Sequence, residues 1–206
     1  METMDTKQRI VQEASRLFMQ SGLRAVTMDQ LCANLGMSKK TLYQFFSDKN
    51  ALVDACTREM MEHHQVDIEL LKQEAVDPID SLLRGDRYFT DFLSTINGLM
   101  LTDLRKYFPD SWASFRQFRN ECLLADIREN LQAGITDGLY REGLDLDIVC
   151  HFYSGIVDML FDAELFPNEL FDRVAVHQQT ISIYLYGIST LRGRQLLDKH
   201  LAENQV

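Results

Sequence analysis

Apolar residues recur along this chain almost everywhere at three- and four-residue intervals, the spacing of one face of an α-helix. Ile10, Ala14, Leu17 and Phe18 form the first such run, opened by the cap-like Asp5-Thr6-Lys7-Gln8 and stopped by Gly22. Thr27-Met28-Asp29-Gln30 has the form of a capping box. The short helix it predicts carries Met28, Leu31, Cys32 and Leu35 on its apolar side and ends at Gly36. Ser38 caps a third helix after a three-residue turn. Two short helices joined by a glycine-containing turn of that length are the signature of a helix-turn-helix. On a wheel at ~100° per residue, Leu42, Phe45 and Phe46 face inward toward the first helix. Lys40 and Gln44 point outward, with Lys39, Thr41 and Tyr43 on the flanks.

Ser47 or Asp48 starts a long helix over about 48–74, which breaks at Asp77-Pro78. A second runs from 78 to about 106 with Leu82, Leu83, Phe89, Phe92, Leu93, Ile96 and Met100 on its apolar side. Phe108-Pro109-Asp110 begins a third over 111–137. Gly138 and Gly143 mark a turn region, and Asp145 caps a helix over 146–166 that is apolar nearly all round and so calls for burial on more than one side. Pro167 separates it from a last helix over 169–192, with Val174, Ile181, Leu185 and Ile188 as one stripe and Ile183 and Tyr186 as further apolar groups. The fold class is all-α: a three-helix head joined to a helical bundle.

Composition and charge then narrow the function. Three prolines and ten glycines in 206 residues agree with long helices. No apolar stretch approaches the ~18 residues of a membrane span, and the first residues lack the basic-then-apolar order of a signal peptide. Cys32, Cys56, Cys122 and Cys150 lie far apart without C-x-x-C spacing, which points to reduced thiols in a cytoplasmic protein. The net charge of −10 argues against nucleic acid until it is divided. Residues 1–50 carry seven basic and five acidic side chains, whereas the rest carries 14 and 26. A mildly basic head on an acidic body permits DNA contact at one end. Lys39, Lys40, Thr41, Tyr43 and Gln44 offer the hydrogen-bond donors that phosphates and base edges accept. Lys49 in the first turn of a helix opposes the helix dipole, a placement that suits a helix N-terminus facing a phosphate. No nucleophile–base–orienter set can be read from the spacing, and His63, His64 and His151 lack the partners of a metal site. Neither enzyme chemistry, a cofactor nor a metal is expected.

Residues 9–52 resemble the TetR/AcrR family of one-component transcriptional repressors. The likeness is carried by Arg9, Ile10, Ala14, Leu17, Phe18, Gly22, Thr27, Leu31, Ala33, Leu35-Gly36-Met37-Ser38, Thr41-Leu42-Tyr43, Phe46, Lys49 and Leu52. Gly134, Gly138 and Arg141 add a weaker likeness before the penultimate helix. Two positions depart from the pattern. Lys40 stands where a small residue is common and itself reaches a phosphate or guanine; Phe45 stands where histidine is common.

The resemblance implies a DNA-binding domain over 1–50 that contacts DNA through Thr27, Ser38, Lys39, Lys40, Thr41, Tyr43, Gln44 and Lys49. It implies a ligand-binding and dimerisation domain over 51–206 and a homodimer through residues 146–192. The expected partners are double-stranded DNA, on a palindromic operator, and a small-molecule effector of unknown identity that releases the protein from it. Apolar and polar candidates for the effector site are Phe89, Phe92, Ile96, Met100, Phe115, Phe118, His151 and Asp158, in a cavity among the helices at 48–74, 78–106, 111–137 and 146–166. The alternative is a helical adaptor with the same head, whose body binds a protein partner instead.

Overall fold

The computed structural model describes residues 6–95, 98–160, 162, 164–167 and 169–203. Among these the secondary structure is helical throughout, with one isolated bridge between Tyr140 and Ser189. The helices are α1 (Thr6–Ser21), α2 (Met28–Leu35), α3 (Lys39–Phe45), α4 (Lys49–Glu74), α5 (Pro78–Thr95), α6 (Gly98–Tyr107), α7 (Pro109–Thr136), α8 (Leu146–Met159), α9 (Arg173–Ile188) and α10 (Leu191–Glu203). The cap proposed at Asp5 and the apolar position Ile96 lie outside the described residues.

Local chemistry sets most boundaries. Thr27 accepts a hydrogen bond from the Gln30 backbone N–H, Ser38 from Thr41, Asp145 from Ile148 and Asp172 from Ala175, each the N-cap geometry. Asp48 rather than Ser47 caps α4, its carboxylate accepting from Ala51 N at 2.8 Å. Asp77 caps α5, with Pro78 at the first helical position where its missing N–H costs nothing. Gly36 closes α2 in the left-handed region at φ 63°.

Two boundaries differ from the periodicity, the end of α8 and the start of α10. Over 78–106 the described residues form α5 and α6, with residues 96–97 between them outside the described residues. The new helix begins at Gly98, one of the weakest helix formers. The run at 146–166 ends at Met159, and Asp162 instead accepts from the Glu164 and Leu165 backbone N–H groups, a turn that competes with the helix. The expected last helix is α9, and α10 follows it. Thr190 makes that break, its hydroxyl accepting from Gly193 N at 3.0 Å as a cap.

The chain divides into two compact units. One holds residues 1–64 and 95–119, the other residues 65–94 and 120–206. In the first, Ile10, Ala14, Leu17, Phe18, Leu23, Leu31, Leu42, Phe46, Leu52 and Val53 are buried and form the interior of the head. In the second, Ile79, Leu82 and Leu83 of α5 pack with Ile127 and Leu131 of α7, Tyr153, Ile156 and Val157 of α8, and Ile181, Leu185 and Ile188 of α9.

Tyr140 is the largest fully buried side chain of that core, and its hydroxyl donates within reach of Pro78 O (3.2 Å) and Asn130 Oδ1 (3.0 Å). Its ring packs against Gly134, where a Cβ would stand 2.0 Å from Tyr140 Cδ2. Gly134→Ala therefore forces a fully buried, hydrogen-bonded ring to move. We expect a loss of about 3 kcal/mol, the upper end of overpacking costs, read as a lower midpoint in urea. An unchanged midpoint would mean that the ring gives way freely.

Candidate DNA-contacting site

The head presents α3 with its outward side chains free of the core. Lys39, Lys40, Tyr43 and Gln44 are exposed and Thr41 is half-buried, whereas Leu42 is fully buried. Tyr43 exposes 47% of its surface. The wheel placed Phe45 inside, and the structure corrects this: Phe45 is 38% exposed. The reason lies one residue on. Phe46 is the C-cap with an extended backbone, which swings its ring into the core beside Leu42 and leaves Phe45 on the outer side.

Two caps anchor the face. Ser38 Oγ accepts from Thr41 N at 3.1 Å and pairs with Thr41 Oγ1 at 2.9 Å, so both hydroxyls are held at the start of α3. Thr27 Oγ1 accepts from Gln30 N at 3.1 Å at the start of α2. Lys39 Nζ lies 2.7 Å from Asp29 Oδ1 in an exposed pair, and the hydrogen bond to Asp29, followed by its charge, raises the Lys39 pKa. Exposed pairs of this kind are held weakly, and a phosphate can displace the carboxylate.

Lys49 takes a different position from its neighbours. Its Nζ donates to Val26 O at 2.6 Å and reaches Arg24 O at 3.4 Å, carbonyls of the turn that leads into Thr27. Burial lowers its pKa, with the negative charge of Asp103 opposing that shift. Lys49 is thus a brace for the turn that delivers the α2 cap. Lys49→Met removes the bond to a charged donor, about 1.5–3 kcal/mol, and is expected to lower the melting temperature by roughly 3–12 °C. A thermal melt identical to the parent would refute the brace.

The turn has a second brace, which the periodicity of α6 did not reveal. Arg24 N donates to Asp103 Oδ2 at 2.9 Å, and the Arg24 guanidinium lies 4.5 Å from the centre of the Tyr107 ring. Asp103 and Tyr107, four residues apart on one face of α6, therefore grip the α1–α2 turn.

The residues expected around an effector divide between the units. Phe89 and Phe92 stack with ring centres 6.3 Å apart in the second unit, where His151 and Asp158 also lie. Met100, Phe115 and Phe118 belong to the first. His151 is exposed, with Nδ1 2.8 Å from Asp147 O of its own helix, and His63 is exposed on α4. Among the described residues no group of three or more His, Cys, Asp or Glu side chains is placed to hold a metal ion, and no helix is long and apolar enough to cross a membrane.

The second unit contains polar groups that sequence reasoning passed over. His177 is fully buried, its Nε2 2.7 Å from Asp86 Oδ1 but out of line for a ring N–H hydrogen bond. Thr90 Oγ1 and Tyr184 Oη are buried without a hydrogen-bond partner as well. The signal was present in the pattern: Asp86 stands between Leu82–Leu83 and Phe89, and His177 between Val174 and Ile181, on otherwise apolar stripes.

On α8 and α9 one face is covered within the unit and one is not. Ile148 is 67%, Phe152 58% and Ile183 69% exposed. Nothing stands within 4 Å of where a Cβ would project from Gly155 or Gly187. Within the single chain α8 buries Cys150, Tyr153, Ser154, Ile156 and Val157 and leaves Ile148 and Phe152 exposed.

A capped tri-helical head with a donor-rich third helix has the form of a helix-turn-helix DNA-binding domain. Residues 10–56 match the family model described as bacterial regulatory proteins, tetR family. Across 88% of its length the chain is 26% identical to the HTH-type transcriptional regulator YvaF of Bacillus subtilis, covering 94% of that relative. It is 24% identical to the HTH-type transcriptional repressor KstR2 of Mycolicibacterium smegmatis, over 94% of both chains. The solved structure of the regulator FadR from Bacillus subtilis in complex with stearoyl-CoA superposes with a TM-score of 0.65 at 18% identity, covering 88% of this chain and 98% of that one, which shows a shared fold. Residues 10–56 thus match the helix-turn-helix region of tetR-family regulators, and the relatives that the chain resembles over most of its length are named as transcriptional regulators.

Proposed function

We propose that the protein is a cytoplasmic repressor, without enzymatic activity, that binds a palindromic operator as a homodimer and leaves it when a small molecule enters the body. The head, residues 1–50, reads DNA; residues 51–206 dimerise and sense. The observation that carries this reading is the exposed face of α3. Its seven residues span only ~10 Å at 1.5 Å per residue, enough to read a few base pairs. Useful specificity then needs two copies at a fixed spacing on a two-fold site. Thr27, Ser38, Thr41 and Tyr43 hold phosphates, Lys39 joins them on leaving Asp29, and Lys40 and Gln44 read base edges. The third Lys49 proton is the part of that side chain left for a phosphate.

Dimerisation through 146–192 is supported by the uncovered apolar face of α8 and α9. Release by ligand is supported by the name of the KstR2 relative as a repressor and by the stearoyl-CoA held by the FadR structure. Ligand in the body shifts the population of head spacings away from the one that fits the operator, and the grip of Asp103 and Tyr107 on the α1–α2 turn ties α6 to the head. The test is reciprocal titration. An effector found by thermal shift among lipophilic compounds is expected to weaken operator binding by a coupling of ~1–3 kcal/mol, with operator weakening effector binding by the same factor. Effector affinity indifferent to operator would contradict ligand-gated repression.

A further inference from the structure

We propose that Asp29 is a built-in competitor for DNA phosphate: its carboxylate keeps Lys39 occupied on DNA that does not fit the head, and so raises the preference for operator over unrelated sequence. This rests on the reading of α3 as the DNA-contacting face. Asp29 lies in the first turn of α2, and Lys39 opens α3. Their ion pair, Nζ to Oδ1 at 2.7 Å, therefore joins the starts of the two helices whose caps, Thr27 and Ser38, are the phosphate holders of that reading. Both side chains stand in solvent, Lys39 63% and Asp29 65% exposed. The head has two other acids among its described residues, and both serve its structure. Glu13 accepts two hydrogen bonds from Arg16 and one from Asn34, and Asp48 caps α4 through Ala51 N. The cap of α2 is Thr27, which already takes the Gln30 N–H, so the Asp29 carboxylate is left to face Lys39.

The effect comes from what Lys39 exchanges. Taking a phosphate means giving up a carboxylate, one anion for another. The exchange also leaves the Asp29 charge bare beside the phosphates that Thr27 and Ser38 approach, and like charges at that range repel. Non-specific binding draws almost entirely on phosphate attraction. A loosely seated head therefore gains little from the exchange, and Lys39 stays on Asp29. On operator, the base contacts of Lys40 and Gln44 fix the register. A phosphate is then held within hydrogen-bond reach of Lys39, and the exchange goes through. Lys39 thus contributes where the sequence fits, and Asp29 makes that contribution conditional. The competing role for Asp29 is helix stability, since a carboxylate in the first turn favours α2 through the helix dipole. That role predicts a change in melting temperature and none in the response of DNA binding to salt.

The test uses the full-length protein and two duplexes of equal length: the sequence that the protein selects from random DNA, and the same bases in shuffled order. Asp29→Asn is expected to raise affinity for the shuffled duplex about tenfold and for the selected one about twofold, and to steepen the salt slope on shuffled DNA by up to ~0.9, the value of one added phosphate contact. Most of the gain on shuffled DNA should vanish when Lys39→Met is added to Asp29→Asn. Lys39→Met alone should weaken the selected complex more than the shuffled one, and it decides the matter if Asp29→Asn does not fold. Equal gains on the two duplexes, no gain on shuffled DNA, a gain that survives in full without Lys39, or an equal loss on both duplexes in Lys39→Met would overturn the competition. A parent protein that binds neither duplex overturns the DNA-contacting reading and the proposal with it. A parent that prefers its selected site by a ratio indifferent to Asp29 overturns the proposal alone.

Discussion

Phe152→Glu is expected to convert the protein to a monomer and to cost it operator affinity, although the substitution lies outside the head. Phe152 is 58% exposed, one turn from Ile148, with Gly155 opening the next turn. Ile183 and Gly187 repeat that arrangement on α9. Isolated exposed apolar residues are ordinary, but here large side chains and open glycines alternate on two neighbouring helices. A second copy can set its own Phe152 over Gly155 or Gly187 and bring the backbones close, burying well over ~1,000 Å² for a stable assembly. A glutamate at the centre of that face must be desolvated without a partner, twice in a two-fold dimer. Without the dimer each head binds alone, and the gain from joining two sites, roughly 100- to 10,000-fold, is lost. Light scattering should report half the parent mass, circular dichroism an unchanged helix content, and gel shifts the loss of the operator complex. A dimer that survives both Phe152→Glu and Ile183→Glu would show that this face has another use.

The second large effect is expected within α3 and separates positioning from reading. Lys40→Ala and Gln44→Ala should change which bases are preferred, each by ~1–3 kcal/mol at the position read, the value of a good bidentate contact. Tyr43→Ala should weaken all sequences alike and flatten the dependence on salt by up to ~1 per lost phosphate contact. Selection of DNA by the Lys40 and Gln44 variants with the parent's discrimination would assign reading to other residues, Phe45 on the same exposed side being the next candidate.

What could be read in the sequence follows from the range of the forces involved. The head was legible because its signals are local: Thr27 with Gln30, Ser38 with Thr41, and Gly36 at φ 63° each act within four residues. Phe45 misled because a two-turn helix has too few positions to define its face, and the change of backbone at Phe46 decided which ring entered the core. The separate helix α10 was hidden because apolar spacing continues across a change of helix. Lys49 reads as a surface cation, and only the fold brings Val26 O to its ammonium, 23 residues away. Asp86 and His177, 91 positions apart, are each a single polar interruption of an apolar stripe; nothing short-range says that they meet. Periodicity did mark α8 and α9 as apolar on more than one side, and the exposed half of that pattern is now located at Ile148, Phe152 and Ile183.

The central claim is that two copies of this head read a symmetric site. Selecting DNA from a random pool with the purified full-length protein, then sequencing the survivors, tests it most directly. The account predicts enrichment of one inverted repeat whose half-sites keep a constant spacing. Enrichment of a single half-site, of half-sites at variable spacing, or of no sequence at all would contradict it.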